Sequence, residues 1–228
     1  MPTEAEIITK NLATVHANIE AACRKAGRSP ADVTLVAVTK TVGNEVARAL
    51  VQAGALDLGE NRVQELENKA GALRGLPVRW HMIGHLQRNK VRKVLPIAQL
   101  IHSVDSLRLA QEIGDQAGKL GLKARILIEM NVSGEASKFG IPPGELPALL
   151  NEAARLEHIV VEGLMTMPPI ATDPEMSRPY FKKLRELRAA HGLKHLSMGM
   201  SQDYAVAVEE GATLVRVGTA LFRGLAVE

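Results

Sequence analysis

A chain of 228 residues, 46% hydrophobic and 23% charged, has the composition of one ordinary globular domain, and its net charge of +3 is too small a surplus for a nucleic-acid footprint. Aromatic residues at 3% leave few rings for stacking nucleobases, and the single cysteine, Cys23, excludes an intramolecular disulfide framework and a cysteine-based zinc site. No apolar run approaches the roughly 18 residues of a membrane span, and the N-terminus lacks the layout of a secretory signal, so a soluble cytoplasmic chain without nucleic-acid or membrane partners is expected.

Residues 3–26 are predicted as an amphipathic helix. Thr3 and Glu6 form a capping box, Ile8, Leu12, Val15, Ile19 and Ala22 make one stripe, and Gly27 stops it. After Pro30 short β-rich runs recur at 33–40, 55–60, 78–84, 100–105, 124–131, 159–167, 195–201 and 213–220. Helical stretches are expected at 44–54 behind Asn44, at 105–121 starting from Asp105, at 144–157, at 174–192 with Pro179 restarting or kinking it, and at 201–211. Alternating strands and helices imply parallel pairing. Eight such units point to a single (β/α)8 barrel over residues 1–228 with an extra N-terminal helix, against an open doubly wound sheet, for which the glycine-rich first turn is missing.

In such barrels the chemistry lies at the C-terminal strand ends. Here those ends carry Lys40, Glu60-Asn61, His81 with His85, Ser103 with Asp105, Asn131, Thr166, Ser201, and Arg216 with Gly218-Thr219. Lys40 closes the apolar run LVAVTK, where it is either a snorkelling surface lysine or, if desolvated, a nucleophile able to form a Schiff base. The segments SMGMSQ and RVGTA sit on the last two strands, where barrels often build a phosphate site from backbone amides. Ser201 is read as a helix cap, an anion contact or both. Arg216, between Val215 and Val217, must be paired if buried, with Glu60 as a candidate partner. His81 and His85 lack an evident third ligand, so no metal is expected. The run RNKVRK (88–93) reads as a solvated helix face, and Cys23 as a buried thiol.

Taken together, AVTKT, GENRVQE, WHMIGHLQRNK, HSVD, the N-x-S-x-E-x-x-K-x-G stretch (131–140), GLMTM, LSMGMSQD and VRVGTALF resemble the pyridoxal-phosphate homeostasis protein family, one-domain relatives of the alanine racemase barrel. The resemblance implies pyridoxal 5′-phosphate as cofactor, held by Lys40 as a Schiff base. It places the phosphate on Ser201, Gly218 and Thr219, Arg216 at the pyridine nitrogen, and Asn61 and His81 around the ring. No catalytic residue is assigned. An arginine at that nitrogen leaves the ring unprotonated and a poor electron sink, and the second domain of the racemases, with its tyrosine, is not seen. The implied role is a cofactor carrier, expected to be monomeric, with pyridoxal-phosphate-dependent apo-enzymes as partners. A low-activity amino-acid racemase is the alternative.

Overall fold

In the computed structural model, which describes residues 2–135 and 139–225, eight strands pair in sequence order and close into a barrel. They are β1 (Thr34–Val38), β2 (Asp57–Glu60), β3 (Arg79–Met82), β4 (Ala98–Val104), β5 (Ala124–Glu129), β6 (Ile159–Met165), β7 (His195–Ser197) and β8 (Leu214–Val217). All pairings are parallel, and the closing seam sets Val36 of β1 opposite Arg216 of β8. The helices are α1 (Glu4–Lys25), α2 (Asn44–Gln52), α3 (Val63–Ala72), α4 (Val91–Val94), α5 (Leu107–Lys119), α6 (Leu146–Ala153), α7 (Arg178–Ala190) and α8 (Tyr204–Glu209). This is the expected (β/α)8 barrel with its additional first helix.

Strand periodicity divides the core in two. Leu35 and Ala37, Trp80 and Met82, Ile126 and Ile128, and Val215 and Val217 pack outward against the helices. Val36, Leu100, Leu127, Met165 and Leu214 fill the interior. By the same parity Gly59, His81, His102, Glu129, Ser197 and Arg216 face inward. Gly59 is needed there, because a Cβ would lie 2.9 Å from Val36 Cγ1.

The first helix closes the seam from outside. Its capping box forms as expected, with the Glu6 carboxylate accepting from the Thr3 amide at 2.7 Å. At its far end Gly27 takes φ +63°, and the Arg28 amide returns to the Cys23 carbonyl at 2.9 Å, a Schellman closure. Arg28 then donates to the carbonyls of Val208 and Ala212. Asn11 donates to the carbonyls of Leu221 and Arg223, so α1 ties down the segment after β8. Cys23 is fully buried beneath it, as expected, and burial raises its thiol pKa.

Local features depart from expectation at three places and agree at a fourth, Pro179. Asn44 is not a cap: Gly43 precedes the helix without a side-chain bond, and Asn44 is its first residue. Ser106, not Asp105, caps α5 through the Leu109 amide, because the Asp105 carboxylate is engaged by His85 Nδ1 at 3.1 Å. Pro179 restarts a helix after the 3-10 turn Pro174–Ser177, as expected. Helix α3 was not anticipated, because its buried stripe of Val63 and Leu66 continues into a charged residue, Lys69. The basic run at 88–93 is a 3-10 turn entering α4, with Arg92 and Lys93 exposed as expected. Among the described residues no helix is long and apolar enough to cross a membrane. Of the large exposed apolar side chains, Phe139, Met167, Ile170 and Met176 lie in the connections after β5 and β6.

Candidate functional site

Lys40 lies one residue beyond the end of β1, after Thr39, and its side chain is exposed rather than desolvated. What holds its backbone in place lies beneath. The buried Lys69 ammonium donates to the Thr39 carbonyl at 2.7 Å and to Glu60 Oε1 at 2.6 Å, and the Thr39 hydroxyl donates to the same carboxylate at 2.5 Å. Glu60 thus points away from the barrel interior, into the layer between β2 and α3, and is not the partner expected for Arg216.

Register brings the ends of β7 and β8 beside Lys40. The backbone at Gly218 runs so close to β1 that a Cβ would stand 3.3 Å from the Val38 carbonyl oxygen. Ser201 Oγ accepts from the Gly218 amide at 3.1 Å and the Ala220 amide at 3.3 Å. Ser201 therefore does not cap α8. The residue ahead of that helix is Asp203, whose carboxylate accepts from the Met200 amide and the Ser177 hydroxyl. Two backbone amides converging on one hydroxyl oxygen, with Thr219 exposed between them, form a small donor-rich cradle. Gly199 at φ +91° allows the loop to press on α8, where a Cβ would meet Ala207 Cβ at 2.5 Å.

Arg216 is buried inside the barrel, 4% exposed. Its guanidinium donates to Ser197 Oγ and, at 3.0 Å, to the Thr166 carbonyl, and among the described residues it has no ion pair. Burial lowers its pKa to about 10, against the opposing fields of Glu129 and Asp203, so it remains a cation at neutral pH. Glu129 was missed by sequence reasoning. It lies two residues beyond the inward Leu127, and burial, reinforced by Asp105 and opposed by Arg216, raises its carboxyl to about 7.

A folded-state value above the ordinary 4.5 means that stability is full below that value and is lost as pH rises towards about 7. Glu129→Gln is therefore expected to gain about 3 kcal/mol on the wild type between about pH 4 and about pH 8. Denaturant titrations at both pH values check this; parallel pH dependence of the two proteins contradicts it.

Asn61 follows β2, half-buried, and Gly84 lets the two chain segments touch, since a Cβ there would stand 2.3 Å from the Asn61 carbonyl oxygen. His81 does not reach this mouth. Its ring faces the barrel interior on the floor side, with Nε2 3.0 Å from Asp57 Oδ1 and Nδ1 2.9 Å from His102 Nε2. His85 instead stacks on Phe139 in an exposed loop, and among the described residues no three potential ligands are placed for a metal. Ser103 donates to the Gly84 carbonyl, Thr166 to the Met130 carbonyl, and Asn131 Oδ1 accepts from Ser133 and Gly134, so these strand-end polar groups organise loops. Lys138 of the 131–140 motif lies outside the described residues.

Comparison with known proteins agrees with the barrel and extends it. The family described as alanine racemase, N-terminal domain, matches residues 11–225. A pyridoxal phosphate homeostasis protein of Aquifex aeolicus is 46% identical over 219 residues, covering 93% of this chain and 96% of that one. One of Pseudomonas aeruginosa is 43% identical over 217 residues, covering 94% of each. The solved structure of PipY of Synechococcus elongatus with pyridoxal phosphate bound superimposes with a TM-score of 0.83 at 35% identity, covering 94% of this chain and 99% of that one. The chain belongs to the pyridoxal phosphate homeostasis protein family, built on the alanine racemase N-terminal barrel.

Proposed function

We propose that this protein binds pyridoxal 5′-phosphate at the barrel mouth and holds it for intracellular cofactor homeostasis. The reading is carried by one juxtaposition: an exposed lysine, a cradle of backbone amides and a buried arginine on the adjoining ends of β1, β7 and β8. The donor set fits the group. Lys40 supplies the amine that condenses with the aldehyde, releasing water, and a Schiff base is the chemistry the cofactor contributes. The amides of Gly218 and Ala220, with the hydroxyls of Ser201 and Thr219, suit a phosphate dianion. Arg216 suits the pyridine nitrogen, because a guanidinium has donors and no acceptor. Asn61 flanks the ring. A solved relative with this cofactor bound supports the assignment.

The role is that of a carrier and buffer, with apo-enzymes that need the cofactor as its recipients. Every group named comes from one chain, so a monomer suffices, and a buried lone thiol suits the reducing cytoplasm. Relatives of nearly full coverage are named homeostasis proteins, which favours this reading over the racemase alternative. Turnover of amino acids should stay below the usual enzyme range of about 1–10³ s⁻¹; racemisation within it would contradict the carrier reading.

The phosphate should dominate the non-covalent affinity. Charge-assisted hydrogen bonds contribute roughly 1.5–3 kcal/mol each, and after desolvation two or more leave pyridoxal binding at least about 10²-fold more weakly than its phosphate. Titration of the visible absorption with both compounds tests the site. Equal affinities would mean that the ends of β7 and β8 form no phosphate cradle.

A further inference from the structure

The barrel interior contains a line of polar side chains that the cofactor site does not use. Asp57 Oδ1 accepts from Arg79 Nε at 2.8 Å and stands 3.0 Å from His81 Nε2. His81 Nδ1 is 2.9 Å from His102 Nε2, His102 Nδ1 is 2.8 Å from Ser197 Oγ, and Ser197 Oγ accepts from Arg216 Nη1. His81, His102 and Ser197 are all buried. At the strand starts Asp57 and His81 border a cavity of about 240 Å³ that is also lined by Thr34, Gln99, Arg125 and His195. The line therefore runs from the floor of the barrel to the arginine beneath its mouth.

Its two ends fix its direction. Arg216 can only donate, and an ionised carboxylate can only accept. Burial pushes the Asp57 carboxyl up, but Arg79 and His81 outweigh it and hold it at about 2. With a single proton on its ring, His81 must carry it on Nε2, which leaves Nδ1 as acceptor for the Nε2–H of His102. His102 Nδ1 in turn accepts the Ser197 hydroxyl proton, and Ser197 Oγ accepts from Arg216. With one proton on each ring, every link of the line holds one proton. For His102 this agrees with burial, the largest influence, which keeps its pKa well below the ordinary value.

We propose that His81, His102 and Ser197 form a hydrogen-bond relay whose coupled tautomers link the floor cavity to Arg216, and that they are positioning residues for it. In its other tautomer, with the proton on Nδ1, His81 no longer offers the acceptor that His102 faces. His102 then completes the link only as its own Nδ1–H tautomer, and Ser197 loses the acceptor for its hydroxyl, which turns against Arg216. The charged groups around His81 are Asp57 on β2, Arg79 on β3, Arg125 on β5 and, beyond it, Glu162 on β6; His102 on β4 and His195 on β7 complete the ring of titratable neighbours. The ring-nitrogen end of the proposal rests on the cofactor reading above; the relay itself does not.

Long-range proton–nitrogen correlation on the cofactor-free protein reads the tautomers directly. In the wild type both His81 and His102 should show the Nε2–H form. In Asp57→Ala, His102, which has no contact with Asp57, should gain a detectable Nδ1–H population. A purely structural role for these residues would leave His102 unmoved, and that result, or Nδ1–H rings in the wild type, overturns the relay. With pyridoxal phosphate added, Ser197→Ala should shift the visible band of the bound cofactor, and Ser197→Thr, which keeps the hydroxyl, should restore it. An unshifted band in Ser197→Ala, with the tautomers behaving as expected, overturns the link to the cofactor while leaving its binding at Lys40 intact.

Discussion

Lys40→Ala is expected to abolish covalent retention of pyridoxal phosphate while leaving the barrel folded. The fold survives because Lys40 is exposed just past β1, and surface substitutions of this kind usually change stability by no more than about 0.5 kcal/mol. Attachment fails because no amine remains where the phosphate cradle and Arg216 would present the aldehyde. The cradle itself is untouched, so weak non-covalent binding persists. Gel filtration of loaded protein separates the outcomes: the wild type keeps its visible absorption, and the variant loses it with an unchanged circular dichroism spectrum. A variant that retains the cofactor through denaturation would remove Lys40 from the account.

The second large effect concerns stability. Lys69 and Glu60 form a buried pair, with side chains 2% and 0% exposed, and Glu60 Oε2 already has no partner among the described residues. Lys69→Met leaves a buried carboxylate with only the Thr39 hydroxyl, and breaking such a pair costs about 3–5 kcal/mol. For a chain of this size that corresponds to a melting temperature lower by roughly 6–20 °C. Adding Glu60→Gln should recover much of the loss, because the uncompensated charge then disappears. Denaturant melts of the single and double variants decide it. A single variant within about 1 kcal/mol of the wild type would contradict the buried pair.

The contrast between these two lysines indicates what a sequence of this kind reveals. Lys40, Ser201 and Gly218 stood out because a lysine, a serine or a glycine at the end of an apolar run is out of pattern, and Arg216 because a charge between two valines is. Lys69 was not, since a buried lysine within a helical stripe reads as the end of the stripe and hides α3 with it. His102, Ser197 and Glu129 were missed for another reason. Period-2 alternation says that they share a face, but only closure of the barrel decides that this face is the interior. His81 was expected at the mouth. Its ring instead leans back to Asp57 at the start of β2 and lines the cavity at the strand starts. Height along the barrel axis is a property of strand stagger, and no residue pattern within a single strand encodes it.

The central claim is that Lys40 is the residue that holds pyridoxal phosphate. Borohydride reduction of the loaded wild-type protein, followed by proteolysis and peptide mass mapping, tests it most directly, because reduction freezes the cofactor on whichever amine carried it. The account predicts the pyridoxyl phosphate group on the peptide containing Lys40. Its recovery on any other lysine would contradict the account.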